Sequence, residues 1–180
     1  MTIRTFQNHT PFIAESAFVD SAALVIGQVS IGADSSVWPM TIIRGDINTV
    51  TIGERTNIQD GSILHATHDG PYSPGGAKLT IGSDVTVGHG VVLHACTLED
   101  ACLIGIGSVV LDGAVIQKHA LLGAGSLVPG GKKLEGGYLW MGRPAKKIRE
   151  LTDKEIEYLS YSANHYVNVK QMHAASNTNS

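Results

Sequence analysis

Residues 98 to 128, LEDACLIGIGSVVLDGAVIQKHALLGAGSLV, decide the fold: Leu98, Ile104, Val110, Ile116, Leu122 and Val128 stand six apart without a miss. Ile, Leu and Val make up about a quarter of the chain, so six consecutive hits in a chosen register have a chance probability on the order of 1 in 4,000. No helix has that period. The same step spaces Val25, Ile31, Val37 and Ile43, then Ile52, Ile58 and Leu64, then Ile81, Val87 and Leu93. Glycine often follows the aliphatic residue, as IG at 31, 52, 81 and 104, VG at 87 and LG at 122. Such hexads are the mark of a parallel β-helix. Each gives one short strand and a corner, and three hexads close a triangular coil whose aliphatic side chains fill the interior. Glycine beside the inward residue is expected to supply backbone conformations that β-branched residues cannot adopt at a tight corner.

Outward from this stretch, the solenoid is expected over residues 1–134, interrupted by a loop over 67–79, THDGPYSPGGAKL, whose Gly and Pro content breaks the lattice. Beyond Pro129 the sequence PGGKKLEGGYLWMGRPAKKIREL leaves the hexad, and residues 135–180 read as a C-terminal extension. Thr152 with Glu155 forms a capping box, and Ile156, Leu159, Ala163 and Tyr166/Val167 follow at helical spacing, which predicts a helix over about 153–172 that packs along the prism. The tail AASNTNS, 174–180, reads as disordered.

With 180 residues and 43% hydrophobic content, the chain can bury one substantial core. Charged residues are 16% of the chain and the net charge is -3, so no basic face points to nucleic acid or to an anionic membrane. The segment MTIRTFQNHTPF has no apolar signal core, and no stretch approaches the length of a bilayer span, so the expected location is cytoplasmic. Cys96 and Cys102 fit neither a metal pair nor a disulfide framework and read as small buried filler of a reduced compartment. The 21 glycines are mostly scattered singly through aliphatic sequence and mark turns.

Histidines supply the chemistry. His65 follows Leu64 and His94 follows Leu93, so both take the phase one step past the inward residue. They lie 29 residues apart, one coil of eighteen plus eleven that the loop supplies, and are expected to stack on one face. His89, two past Val87, belongs to the neighbouring face, as much as roughly 16 Å away along the chain. A threefold axis resolves the mismatch: His65 and His94 of one chain meet His89 of the next, which predicts a homotrimer. Three imidazoles that leave one position for water are the arrangement of catalytic zinc, in contrast to closed structural sites. The ligand type also suits Fe2+ or Co2+. His9, His119, His165 and His173 lack such partners and read as structural.

Four segments carry a resemblance: VWPMTIIRGDINTVTIGERTNIQDGSILHATH (37–68), LTIGSDVTVGHGVVLHACTL (79–98), IGIGSVVLDGA (104–114) and YSANHYV (161–167). Together they resemble the γ-class carbonic anhydrase-like proteins, in particular their bacterial YrdA-like subgroup, over nearly the whole chain. The resemblance implies a left-handed β-helix trimer, with metal at each subunit interface held by His65, His89 and His94. It also implies that Arg44 and Asp46 make ion pairs near the interface and that Asp60 supports the arginine across the boundary. Gln59 would hydrogen-bond the solvent on the metal, and Asn164 would hold the substrate, CO2 or bicarbonate. Where the best-known members carry glutamates that move protons, this chain has Ile47 and His68; Ile47 cannot transfer a proton and His68 can. Two other functions fit hexapeptide repeats: coenzyme A-dependent acyl transfer or thioester cleavage, suggested by GRPAKKIR (142–149), and a noncatalytic trimeric module that a metal only staples.

Overall fold

Alternation within each hexad sends one aliphatic side chain inward and its neighbours out, and the buried residues fall accordingly into three columns. In register, Leu64, Leu93, Val110 and Val128 form one column. Ile81, Leu98, Ile116 and Leu134 form the second. Ile58, Val87, Ile104, Leu122 and Trp140 form the third. The structure, a computed structural model that describes residues 2–177, is a left-handed parallel β-helix of hexapeptide repeats with one C-terminal helix.

Most strands are two or three residues long. The eleven-residue strand Ile42–Ile52 is an exception: its first part pairs with Ile63–His65 and its last part with Leu79–Ile81, so two sides of the prism share one sheet. The third side is a separate sheet that ends in an antiparallel hairpin, Tyr138–Met141 with Lys146–Glu150.

The glycine after the inward residue has a different cause from the expected one. Gly53 does not occupy the left-handed region; a Cβ there would stand 2.6 Å from the carbonyl carbon and oxygen of Gly82 in the next coil. Close stacking of backbone on backbone excludes the side chain. The left-handed conformations sit later in the hexad, as at Gly90, with φ 64°, directly after His89.

Helix α1 spans Asp153–Asn177. Its capping box is closed in both directions: the Glu155 amide donates to Thr152 Oγ1 at 3.3 Å, and the Thr152 amide donates to Glu155 Oε2 at 2.9 Å. Leu159, Ser162, Ala163 and Lys170 form the buried stripe against the third side. Of the tail expected to be disordered, residues 174–177 continue the helix, because nothing in AASN breaks it, and 178–180 lie outside the described residues. At the far end, the Lys170 ammonium donates to the carbonyl of Ser16 at 2.6 Å and pairs with Asp34 at 2.9 Å.

Glu155 gives a pH test of the helix start. Hydrogen bonds from Arg149, then from the Thr152 backbone, hold its carboxyl down at about 2 against an ordinary 4.5. A depressed carboxylate stabilises the fold fully above its unfolded value and loses that contribution as pH falls toward the folded one. Helix content by circular dichroism should therefore be level down to about pH 5 and decline between about 4.5 and 2, with a smaller decline in Glu155→Gln.

Candidate metal centre

Strands Ile63–His65 and Val92–His94 are neighbours in exact register as Ile63 with Val92, Leu64 with Leu93, and His65 with His94. Because Leu64 and Leu93 fill the core, both histidines leave the prism side by side on one face. Arg44 precedes them in the same outward ladder. His65 Nδ1 and His94 Nε2 lie 3.2 Å apart.

The remaining nitrogen of each ring meets a carboxylate. His65 Nε2 is 3.1 Å from Asp46 Oδ1, and His94 Nδ1 is 2.9 Å from Asp112 Oδ2. Arg44 fixes Asp46 from the other side at 2.6 Å, and Thr67 donates its hydroxyl to Asp112. Burial alone would raise the Asp46 carboxyl, but hydrogen bonds from Arg44 and His65 outweigh it and hold the group below its ordinary value. Asp112 is likewise lowered, its burial outweighed by the bonds from Thr67 and His94. Burial pushes the His65 imidazole down, so the ring is neutral at neutral pH.

An ionised carboxylate only accepts, so the nitrogen facing it carries the hydrogen. With both rings neutral, the two nitrogens that face each other then both present lone pairs, a repulsive contact that a shared cation relieves. Around zinc, with Zn–N near 2.0–2.1 Å, two ligands of a tetrahedron stand about 3.3 Å apart, which the observed separation matches. The pair therefore fits a metal. A third ligand is not in reach: among the described residues, no three His, Cys, Asp or Glu side chains come together as a ligand set within one chain.

His89 stands at the corner beyond strand Thr86–Val87, half exposed, with Nδ1 2.9 Å from Asp60 Oδ2 one coil away. Within the chain, Asp60 thus holds His89 and not Arg44. Gln59 is buried, and its Nε2 donates to Asn57 Oδ1 at 3.1 Å, leaving Oε1 as an acceptor without a partner among the described residues. Asn164 is exposed on helix α1, and Ile47 is exposed beside Asp46. His68 is exposed, with its ring over Gly70.

Asp112 and Asn57 take part in this geometry but were not singled out in the sequence. Asp112 has a sequence signal: it lies eighteen residues after His94, one coil on. The other histidines act elsewhere, His173 packing edge-on against Trp38 at 5.0 Å and His165 stacking on Tyr161 at 6.0 Å. Cys96 and Cys102 are buried, and burial pushes both thiols up to about 12, which suits inert filler. Among the described residues, no helix is long and apolar enough to cross a membrane.

No family model matches the chain. Protein YrdA of Escherichia coli is 52% identical over 168 residues, 93% of this chain and 91% of that protein. A carbonic anhydrase of Geobacillus kaustophilus is 44% identical over 173 residues, 96% of this chain and 91% of that protein. Among solved structures, a hexapeptide transferase family protein from Anaplasma phagocytophilum superposes with a TM-score of 0.86 at 39% identity, covering 94% of this chain and 96% of that one. Relatives of this likeness and length, on a prism that sets paired imidazoles against carboxylates, show that the chain belongs to the γ-class carbonic anhydrase-like family of hexapeptide-repeat proteins.

Proposed function

We propose that the chain is a metal-dependent enzyme that hydrates CO2 reversibly to bicarbonate, at sites shared between neighbouring subunits of a homotrimer. The observation that carries this reading is the facing pair of ring nitrogens at 3.2 Å, each backed by a carboxylate. His65 and His94 of one subunit would hold the ion together with His89 of the next. Zinc suits three imidazoles, as do Fe2+ and Co2+. When bound, a divalent ion supplies a water activated near neutral pH, and so a nucleophile for the carbon of CO2.

The chain's own residues set the conditions for that chemistry. Asp46 and Asp112 keep hydrogen on the outer nitrogens of His65 and His94, so the inner lone pairs stay available, and Arg44 keeps Asp46 in place. Gln59 offers Oε1 as an acceptor for the solvent that attacks. Asn164 presents its exposed amide for the substrate. Asp60 steadies His89 and, in the assembled trimer, faces Arg44 of the neighbour.

Assembly is supported by an apolar ladder beside the histidines. Leu24, Ile42, Ile63, Val92, Val109 and Leu127 are register partners and all point outward, with Ile42 at 38% and Ile63 at 46% exposure. A continuous outward stripe of this kind marks a protein contact. The acyl-transfer reading fits less well, because two of the four cations of GRPAKKIR, and Lys132 before it, are engaged internally. Lys147 pairs with Glu135 at 2.5 Å, Arg149 with Glu155 at 2.7 Å, and Lys132 donates to the Ala145 carbonyl.

Stopped-flow hydration by anaerobically purified protein of measured metal content tests the function. Catalysis should scale with metal content, and it should rise with buffer concentration because Ile47 offers no proton path and His68 is an exposed loop group. A rate no higher than buffer alone with fully metallated protein would rule the activity out. Tight binding of coenzyme A by calorimetry would instead favour acyl transfer.

A further inference from the structure

Gln59 begins a line of buried polar side chains that ends on helix α1. Its Nε2 donates to Asn57 Oδ1 at 3.1 Å, Asn57 Nδ2 donates to Thr86 Oγ1 at 3.0 Å, and Thr86 Oγ1 lies 3.0 Å from Ser162 Oγ. Exposure along the line is 6%, 0%, 4% and 7%. Ser162 is one of two polar members of a stripe completed by Leu159, Ala163 and Lys170, and it lies 76 positions from Thr86 in sequence. Gln59, Thr86 and Ser162 also border one cavity of about 410 Å³.

The direction of the hydrogen bonds decides which end of the Gln59 amide faces away from the line. Thr86 Oγ1 accepts from Asn57, and its own hydrogen is available to Ser162 Oγ, a contact in which either hydroxyl can donate. Asn57 must then turn its oxygen to Gln59, and Gln59 must answer with its NH2 group, which leaves Oε1 outward. Without a hydroxyl at 162, the Thr86 hydrogen has no partner on the helix and is free to turn onto Asn57. Only the longer contact from Asn57 Nδ2 to the Val85 carbonyl, at 3.4 Å, opposes that turn. Asn57 would flip, offer its NH2 to Gln59, and drive Gln59 to present NH2 outward in place of oxygen. A donor would then stand where an acceptor is required.

We infer that Ser162 is a positioning residue for Gln59, acting through Thr86 and Asn57 to keep the amide oxygen turned toward the reacting solvent. Only the effect on turnover rests on the proposed hydration activity; the orientation of the amide does not. The experiment therefore reads both. In metal-free protein, the side-chain amide signals of Gln59 and Asn57 are followed by 1H–15N spectroscopy in Ser162→Ala, Ser162→Thr and Thr86→Val. Ser162→Ala and Thr86→Val should move the Gln59 signals and speed their exchange with water several-fold, and Ser162→Thr, which restores a hydroxyl, should return them. In metal-loaded protein, Ser162→Ala should lower kcat roughly ten-fold, with Ser162→Thr close to the parent. Gln59 signals in Ser162→Ala that superpose on those of the parent would overturn the inference. Moved signals in a parent that hydrates no CO2 would uphold it and sink the proposed function instead.

Discussion

Neither His89→Ala nor the double variant His65→Ala/His94→Ala should hydrate CO2 above the buffer rate, yet equal amounts of the two, refolded together, should recover about a quarter of the parent rate per chain. The argument is geometric. Each complete site needs the facing pair from one subunit and His89 from the next. Random assembly puts both chains in about three-quarters of the trimers, and each such ring keeps one intact interface of its three. Metal content should follow the same fraction. A mixture that stays inactive, or a His89→Ala variant that keeps its metal and rate alone, would contradict the shared site. Loss of the trimer in His89→Ala with no catalysis in any form, the parent included, would leave only the assembly role.

Leu93→Ala should cost about 2–5 kcal/mol of stability per chain. Leu93 is fully buried between Leu64 and Val110, and a parallel solenoid has no spare element to collapse into the space. The denaturant midpoint, compared at equal chain concentration because the assembly contributes to apparent stability, measures the loss. The consequence reaches the site. Leu93 is flanked by Val92 of the apolar ladder and by His94, so loosening its strand should also weaken metal retention in a chelator competition. A midpoint shift within the range of a surface substitution would show that the columns are not the main source of stability.

Much of this architecture could be read from spacing because a hexad repeat ties each residue's direction to its position. The six aliphatic residues from Leu98 to Val128 declare an inward column, and two histidines in equal phase, 29 residues apart, declare a shared face. The contacts that orient the histidines were harder to read. Asp112 reaches His94 only because one coil stacks on the next, and Thr67 joins it from the base of the loop. Ser162 is invisible to any repeat, since its partner Thr86 is brought to it by the docking of helix α1. The role of the interior glycines was misjudged for a related reason: backbone approach between coils, as at Gly53, belongs to the stack and leaves no trace in local conformational preference.

A stack in which each coil touches only its neighbours is free to fray from either end, one layer at a time. Lys170 restrains that freedom at the N-terminal end. Its ammonium, on the last helix, is fastened to Ser16 and Asp34 in the first coils, so the two extremities of the chain are stitched into a closed circuit. Unzipping from the N-terminal end must break this stitch before it can pass Ser16, so the loss of the first coils is tied to the release of the last helix.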